Sequence, residues 1–110
     1  MAILTATIPA GQSLSTATDL GQLQLSAIIA PPAWDGNARL SFQLSPDNVA
    51  FYEVSGWESG EALTIHCAPG YWIPAVSLNF PKTVFFKIRS GHPLAPVVQT
   101  ADRVFTLVAV

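Results

Sequence analysis

In the stretch Ala38-Arg39-Leu40-Ser41-Phe42-Gln43-Leu44-Ser45 every second residue is apolar. Successive side chains of a strand point to opposite faces, so this pattern sends Leu40, Phe42 and Leu44 into a core. It turns Arg39, Ser41, Gln43 and Ser45 outward. Seven further apolar segments follow the same short-strand logic: Ile3 to Ile8, Leu23 to Ile29, Phe51 to Val54, Leu63 to Cys67, Tyr71 to Ile73, Val84 to Arg89 and Arg103 to Val110. Turn chemistry separates them. Pro9 and Gly11 close the first, Pro31-Pro32 ends the second, Pro46-Asp47-Asn48 follows the third and Pro69-Gly70 the fifth. Proline cannot donate to a ladder, and Asp or Asn tolerates tight turn geometry. No window carries a helical stripe. About eight short strands at this spacing predict an all-β, single-domain antiparallel β-sandwich over residues 1–110, jelly-roll-like or Ig-like. Residues 1–15 are expected to form an extended N-terminal segment able to add a strand to an open sheet edge, and Gln12 to Gly21 reads as a loop with a short extended piece.

Composition narrows the function classes. Half the residues are hydrophobic and only 11% are charged, against about 25% in typical domains. A domain of 110 residues has much surface to cover with so few charges, so part of that surface is expected to lie in an assembly. The net charge is −2, and Arg39, Lys82, Lys87, Arg89 and Arg103 are dispersed. They do not form the basic track that nucleic acid requires. Cys67 is the only cysteine, which fits folding in a reducing cytosol. The N-terminus has neither the basic nor the long apolar region of a signal peptide. No apolar run reaches the roughly 20 residues of a membrane span.

Catalytic constellations are weak. His66 and Cys67 are adjacent, but on one strand their side chains face opposite ways and cannot share a proton. Leu63, Ile65 and Cys67 form the inward set. His92 sits in the turn Ser90-Gly91-His92-Pro93 without a partner at metal-ligand spacing. The Asp47-Asn48 turn lacks the oxygen ligands of a calcium loop. Asp35, Asp47, Glu53, Glu58 and Glu61 include enough acids for a glycosidase pair, but nothing in the sequence brings two together. The chain is read as non-enzymatic, with no catalytic residue, metal or cofactor. Among the aromatics, Trp34 and Trp72 either plug the ends of the sandwich or stand exposed. Trp57, in Ser55-Gly56-Trp57-Glu58-Ser59-Gly60, is the best single candidate for an exposed contact.

Several stretches carry a resemblance in order along nearly the whole chain. Thr7-Ile8-Pro9-Ala10-Gly11-Gln12-Ser13-Leu14-Ser15 precedes Asp19-Leu20-Gly21. Pro32-Ala33-Trp34 and Leu40-Ser41-Phe42-Gln43-Leu44-Ser45-Pro46-Asp47 follow. Phe86-Lys87-Ile88-Arg89-Ser90-Gly91 then leads to Pro96-Val97-Val98-Gln99 and Ala101-Asp102-Arg103. Together these resemble small virion structural proteins of tailed bacteriophages and prophages. Asn48-Val49-Ala50-Phe51 stands where such relatives commonly carry Asp-Gly and a following Thr-Phe. The resemblance implies a capsid decoration (cement) protein that binds the major capsid protein on the outer surface of the head. It also implies self-association as a homotrimer, folding in the host cytoplasm and no contact with nucleic acid or membrane. A receptor- or glycan-binding module of a tail or head fibre is the alternative. On either reading the interface candidates are Trp57, Phe85, Arg89 and Trp34, with Phe85 and Arg89 outward on their strand as aromatic anchor and charged rim.

Overall fold

The computed structural model describes residues 1–34, 38–56, 60–78, 80–82 and 84–110. Among these residues ten strands form two antiparallel sheets. In chain order they are β1 (Ala2–Ile8), β2 (Thr18–Asp19), β3 (Leu25–Ile29), β4 (Arg39–Ser45), β5 (Tyr52–Glu53), β6 (Ile65–His66), β7 (Trp72–Pro74), β8 (Phe85–His92), β9 (Ala95–Pro96) and β10 (Arg103–Ala109). One turn of 3₁₀ helix, Ala75–Leu78, follows β7. The first sheet runs β1-β10-β3-β7. The second runs β2-β8-β4-β5, with β6 also on β4 and β9 also on β8. The all-β sandwich expected from the alternation is the observed fold. All eight expected strand regions contain strands; four are trimmed by a residue or two, β6 by three, β7 is shifted by one, and β1 and β8 run further than expected.

The core lies between the sheets. Ala6, Ile8, Ile28, Phe105 and Leu107 project from the first sheet, and Leu40, Phe42, Phe86 and Ile88 from the second. Phe42 lies 5.5 Å from Phe80 and 5.7 Å from Phe86, ring centre to ring centre. Spacings of this kind let the positive ring edges meet negative faces, adding about 0.5–1.5 kcal/mol per pair beyond area burial. Each core strand has the predicted parity: Leu40 and Phe42 are fully buried and Arg39 is exposed.

The N-terminal segment is extended and adds its strand to the chain's own first sheet. Ala2 to Ile8 pairs along its whole length with β10. Its outer edge is tied to the other sheet, because Thr5 and Thr7 carbonyls accept from Thr18 Oγ (2.8 Å) and the Thr16 amide (3.0 Å). Residues 11–15 then run beside β8. The Ser90 amide donates to Ser13 O (2.7 Å), and the Ser15 amide to Ile88 O (2.8 Å). These bonds satisfy backbone groups that a free arm would leave to water.

Register fixes what each outer face shows. On the first sheet, Ile3, Val108, Ala27 and Pro74 form one row across the four strands, and Thr5, Thr106, Ile29 and Trp72 the next. Pro74 is tolerated there because β7 is an edge strand and needs no ladder donor on its free side. On the second sheet, Arg89 lies beside Ser41 and Lys87 beside Gln43, which in turn neighbours Glu53. The described rows of the first sheet are uncharged, and those of the second are ionic.

Candidate functional site

The outer face of the second sheet holds an ordered polar cluster and a groove. Arg89 Nη1 donates to Glu53 Oε2 (2.7 Å) and Nη2 to Oε1 (2.5 Å), a two-pronged ion pair between β8 and β5. Nη1 also approaches Ser41 Oγ at 3.4 Å. Gln43 Nε2 donates to Glu53 Oε1 (2.8 Å). Fork geometry of this type combines charge and direction. Hydrogen bonding from Arg89 is the largest influence on Glu53 and holds its carboxyl below the usual range, against the opposing effect of partial burial.

Glu53 opens onto a groove of ≈ 440 Å³ that is also lined by Val54, Glu61, Ala62, His92 and Leu94. The His92 ring is oriented by its own turn: Nδ1 accepts the Leu94 amide at 3.0 Å. The neutral ring therefore carries its proton on Nε2, which makes that nitrogen a donor. Leu94 is 90% exposed, the most exposed large apolar side chain of the described chain. Charged, donor and apolar groups thus meet in one concavity, which is the usual composition of a binding surface.

Glu53 and Glu61 line this groove together with His92. A glycosidase general acid needs a raised pKa, whereas Glu53 is lowered and both its oxygens are occupied. Asp47 is also lowered, chiefly by the Val49 and Ala50 amides that donate to its carboxylate at 2.9 and 3.1 Å. Asp35 and Glu58 lie outside the described residues. Cys67 is buried, and desolvation pushes its thiol up, away from nucleophile character. His66, on the exposed side of its strand, does not share a face with it. Among the described residues no three His, Cys, Asp or Glu side chains cluster closely enough to hold a metal ion.

The interface candidates separate. Phe85 is half-buried on the outward side of β8. Arg89 points away from the core as its parity requires, yet its side chain is only 11% exposed. Its guanidinium is held by Glu53 and Ser41, so it orders the face and does not form a charged rim. Trp34 is 2% exposed and packs edge-on against Phe105 at 5.7 Å. It is a core residue and not an exposed contact, and its buried indole N–H has no partner among the described residues. Trp57 lies outside the described residues. Trp72, in contrast, is 60% exposed on β7. Sequence reasoning missed the groove because Glu53, Glu61 and His92 come from three separate segments. It also missed Lys87, whose ammonium sits 4.1 Å from the centre of the Phe51 ring, a cation–π contact.

No family model, curated protein or solved structure matches this chain.

Proposed function

We propose that this chain is a bacteriophage virion structural protein, a capsid decoration (cement) protein that binds the major capsid protein on the outer surface of the head. It folds in the host cytoplasm and works on the capsid surface without catalysis. The ordered sequence resemblance supports this reading. The observation that carries it at the level of surfaces is the groove on the ionic sheet face, with exposed Leu94 and oriented His92 beside the Arg89–Glu53 pair. A pre-ordered face keeps low the entropy lost when it docks. Many identical contacts, repeated by capsid symmetry, then sum to a large stabilisation of the head.

The test is occupancy. Purified protein is added to capsids of its own phage that lack it, and bound copies are counted after sedimentation. Wild type is expected to saturate a lattice fraction, and Leu94→Asp to lower occupancy while its melting temperature is unchanged. Equal occupancy by the variant would remove the groove from the contact. Failure of wild type to bind would remove the decoration reading.

A second reading rests on the same groove. Carboxylates, an imidazole N–H and apolar walls together suit a hydroxyl-rich ring, as in a glycan-binding fibre module. Calorimetric titration with host surface glycans separates the two, since a decoration protein is expected to show no saturable heat.

A further inference from the structure

The tip of the β8–β9 hairpin holds a hydrogen bond that only one protonation state of its side chain can make. His92 pairs with Ala95 across the hairpin, so Pro93 and Leu94 are the two central residues of a tight turn. Proline at the first of these positions presets φ for such a turn. The residue before it is ordinarily Asp, Asn or Ser, whose side-chain oxygen accepts the amide two residues on. His92 takes that place, its Nδ1 accepting the Leu94 amide at 3.0 Å. Below the tip the hairpin is firmly tied. Ser41 Oγ donates to Gly91 O at 2.8 Å, and the Val97 amide donates to Ser90 O at 2.8 Å. Leu94 itself is 90% exposed, so little packing competes with the ring in orienting it.

We propose that His92 is a proton-operated switch for the groove: the neutral ring holds Leu94 in place beside it, and protonation releases Leu94. An imidazolium carries hydrogen on both nitrogens. Nδ1 then ceases to accept and turns a second donor towards the Leu94 amide, so the ring or the tip must rotate away. Acceptors for the rotated ring stand across the groove. Among the described residues the charged groups facing it are Glu53 from β5, with Arg89 of β8 paired to it, and Glu61 beside the Ser55–Ala62 bridge. Strand β9, Ala95–Pro96, brings no charge. Arg89 does most to hold the Glu53 carboxyl low, and the charge of a protonated His92 adds to it, so ring and carboxylate lie within electrostatic reach. Histidine rings ordinarily change charge between about pH 5 and 8. Loss of one neutral hydrogen bond moves a local equilibrium about two- to tenfold, and apparent affinity falls with the fraction of protein that is competent. The effect on docking rests on the reading of this groove as the contact surface; the switch itself does not.

Nuclear magnetic resonance of the isotope-labelled full chain reads the switch without any partner. At about pH 8 the His92 ring is expected as the Nε2–H tautomer, with a scalar coupling between Nδ1 and the Leu94 amide nitrogen across the hydrogen bond. At about pH 5 the coupling should vanish, and the Leu94 amide signal should move with the same midpoint as the ring. His66, the other histidine, is exposed on β6 and is the internal reference. His92→Asn supplies an oxygen that accepts the same amide and does not titrate, so its Leu94 signal should stay constant over that range. Circular dichroism at both pH values establishes that each protein is folded. An Nδ1–H tautomer at the higher pH, or a Leu94 signal indifferent to the His92 titration, would overturn the switch. Capsid occupancy at the two pH values is read separately. It should fall about two- to tenfold in acid for wild type and stay level for His92→Asn. Equal wild-type occupancy at both would remove the switch's hold on docking. No binding at either, with the spectral transition present, would leave the switch standing and remove the decoration reading alone.

Discussion

Removing Glu53 should destabilise the fold through the partner it leaves behind. The Arg89 side chain is 11% exposed, and its two strongest contacts are the Glu53 oxygens at 2.7 and 2.5 Å. Breaking a fully buried ion pair by deleting one partner costs about 3–5 kcal/mol, because the other charge stays desolvated. Glu53 is 38% exposed, so water partly replaces it, and the cost of Glu53→Ala falls to about 2 kcal/mol. For a domain of this size that corresponds to roughly 8 °C in melting temperature. Arg89→Ala should cost less, about 1 kcal/mol, because the freed carboxylate reaches solvent. The double variant should fall short of the sum by about 1 kcal/mol. Urea melts followed by the fluorescence of buried Trp34 supply all four corners of the cycle. The acid limb gives an independent sign. Glu53 titrates lower when folded than unfolded, so its contribution is fully present above the unfolded carboxyl range, near pH 4.3. It is lost as pH falls through the lower folded value. Wild type and Glu53→Gln should therefore differ at pH 7 and converge in strong acid. A Glu53→Ala variant within about 0.5 kcal/mol of wild type, or strict additivity in the cycle, would refute the reasoning.

Gly91 has φ +97°, and a Cβ there would sit 2.7 Å from Ala95 O and Val97 N. Gly91→Ala should cost more than about 2 kcal/mol in a urea melt, whereas Gly21→Ala, at φ +59° with open space, should cost about 1 kcal/mol. Among the described residues Asn48 is the one non-glycine with positive φ, at 61°, so Asn48→Gly should keep the melting temperature and Asn48→Val should lower it. Cys67 should resist iodoacetamide in the native protein and react on unfolding, as counted by mass spectrometry, because its thiol is buried and raised.

Alternation made the core legible. Leu40 and Phe42 with Phe86 and Ile88 meet across the paired strands β4 and β8 where their parity places them. The same logic set Ser41, Ser45 and Arg89 outward but could not reveal that outward was covered. Ser41 Oγ donates to Gly91 O at 2.8 Å, and Ser45 Oγ accepts the Asn48 amide at 2.9 Å. Arg89 depends on Glu53, 36 residues away, and no local pattern encodes that pairing. Strand β9, two residues long, escaped because Ala-Pro shows no periodicity, whereas β2 is the short extended piece of the loop from Gln12 to Gly21. Trp34 and Trp72 carried the same two alternatives and divide between them, Trp34 at 2% and Trp72 at 60% exposed, because a tryptophan's burial depends on which side of its element meets the core. One signal was present and unread. Val104 and Val108 stand on the opposite parity from Phe105 and Leu107, so β10 is apolar towards both sides.

The most direct test of the proposed role is the number of copies of this chain in purified virions relative to the major capsid protein, by quantitative mass spectrometry. The decoration reading predicts a ratio near one or a simple lattice fraction of it. A handful of copies per particle would place the chain on the tail or a fibre, and absence from virions would contradict the account.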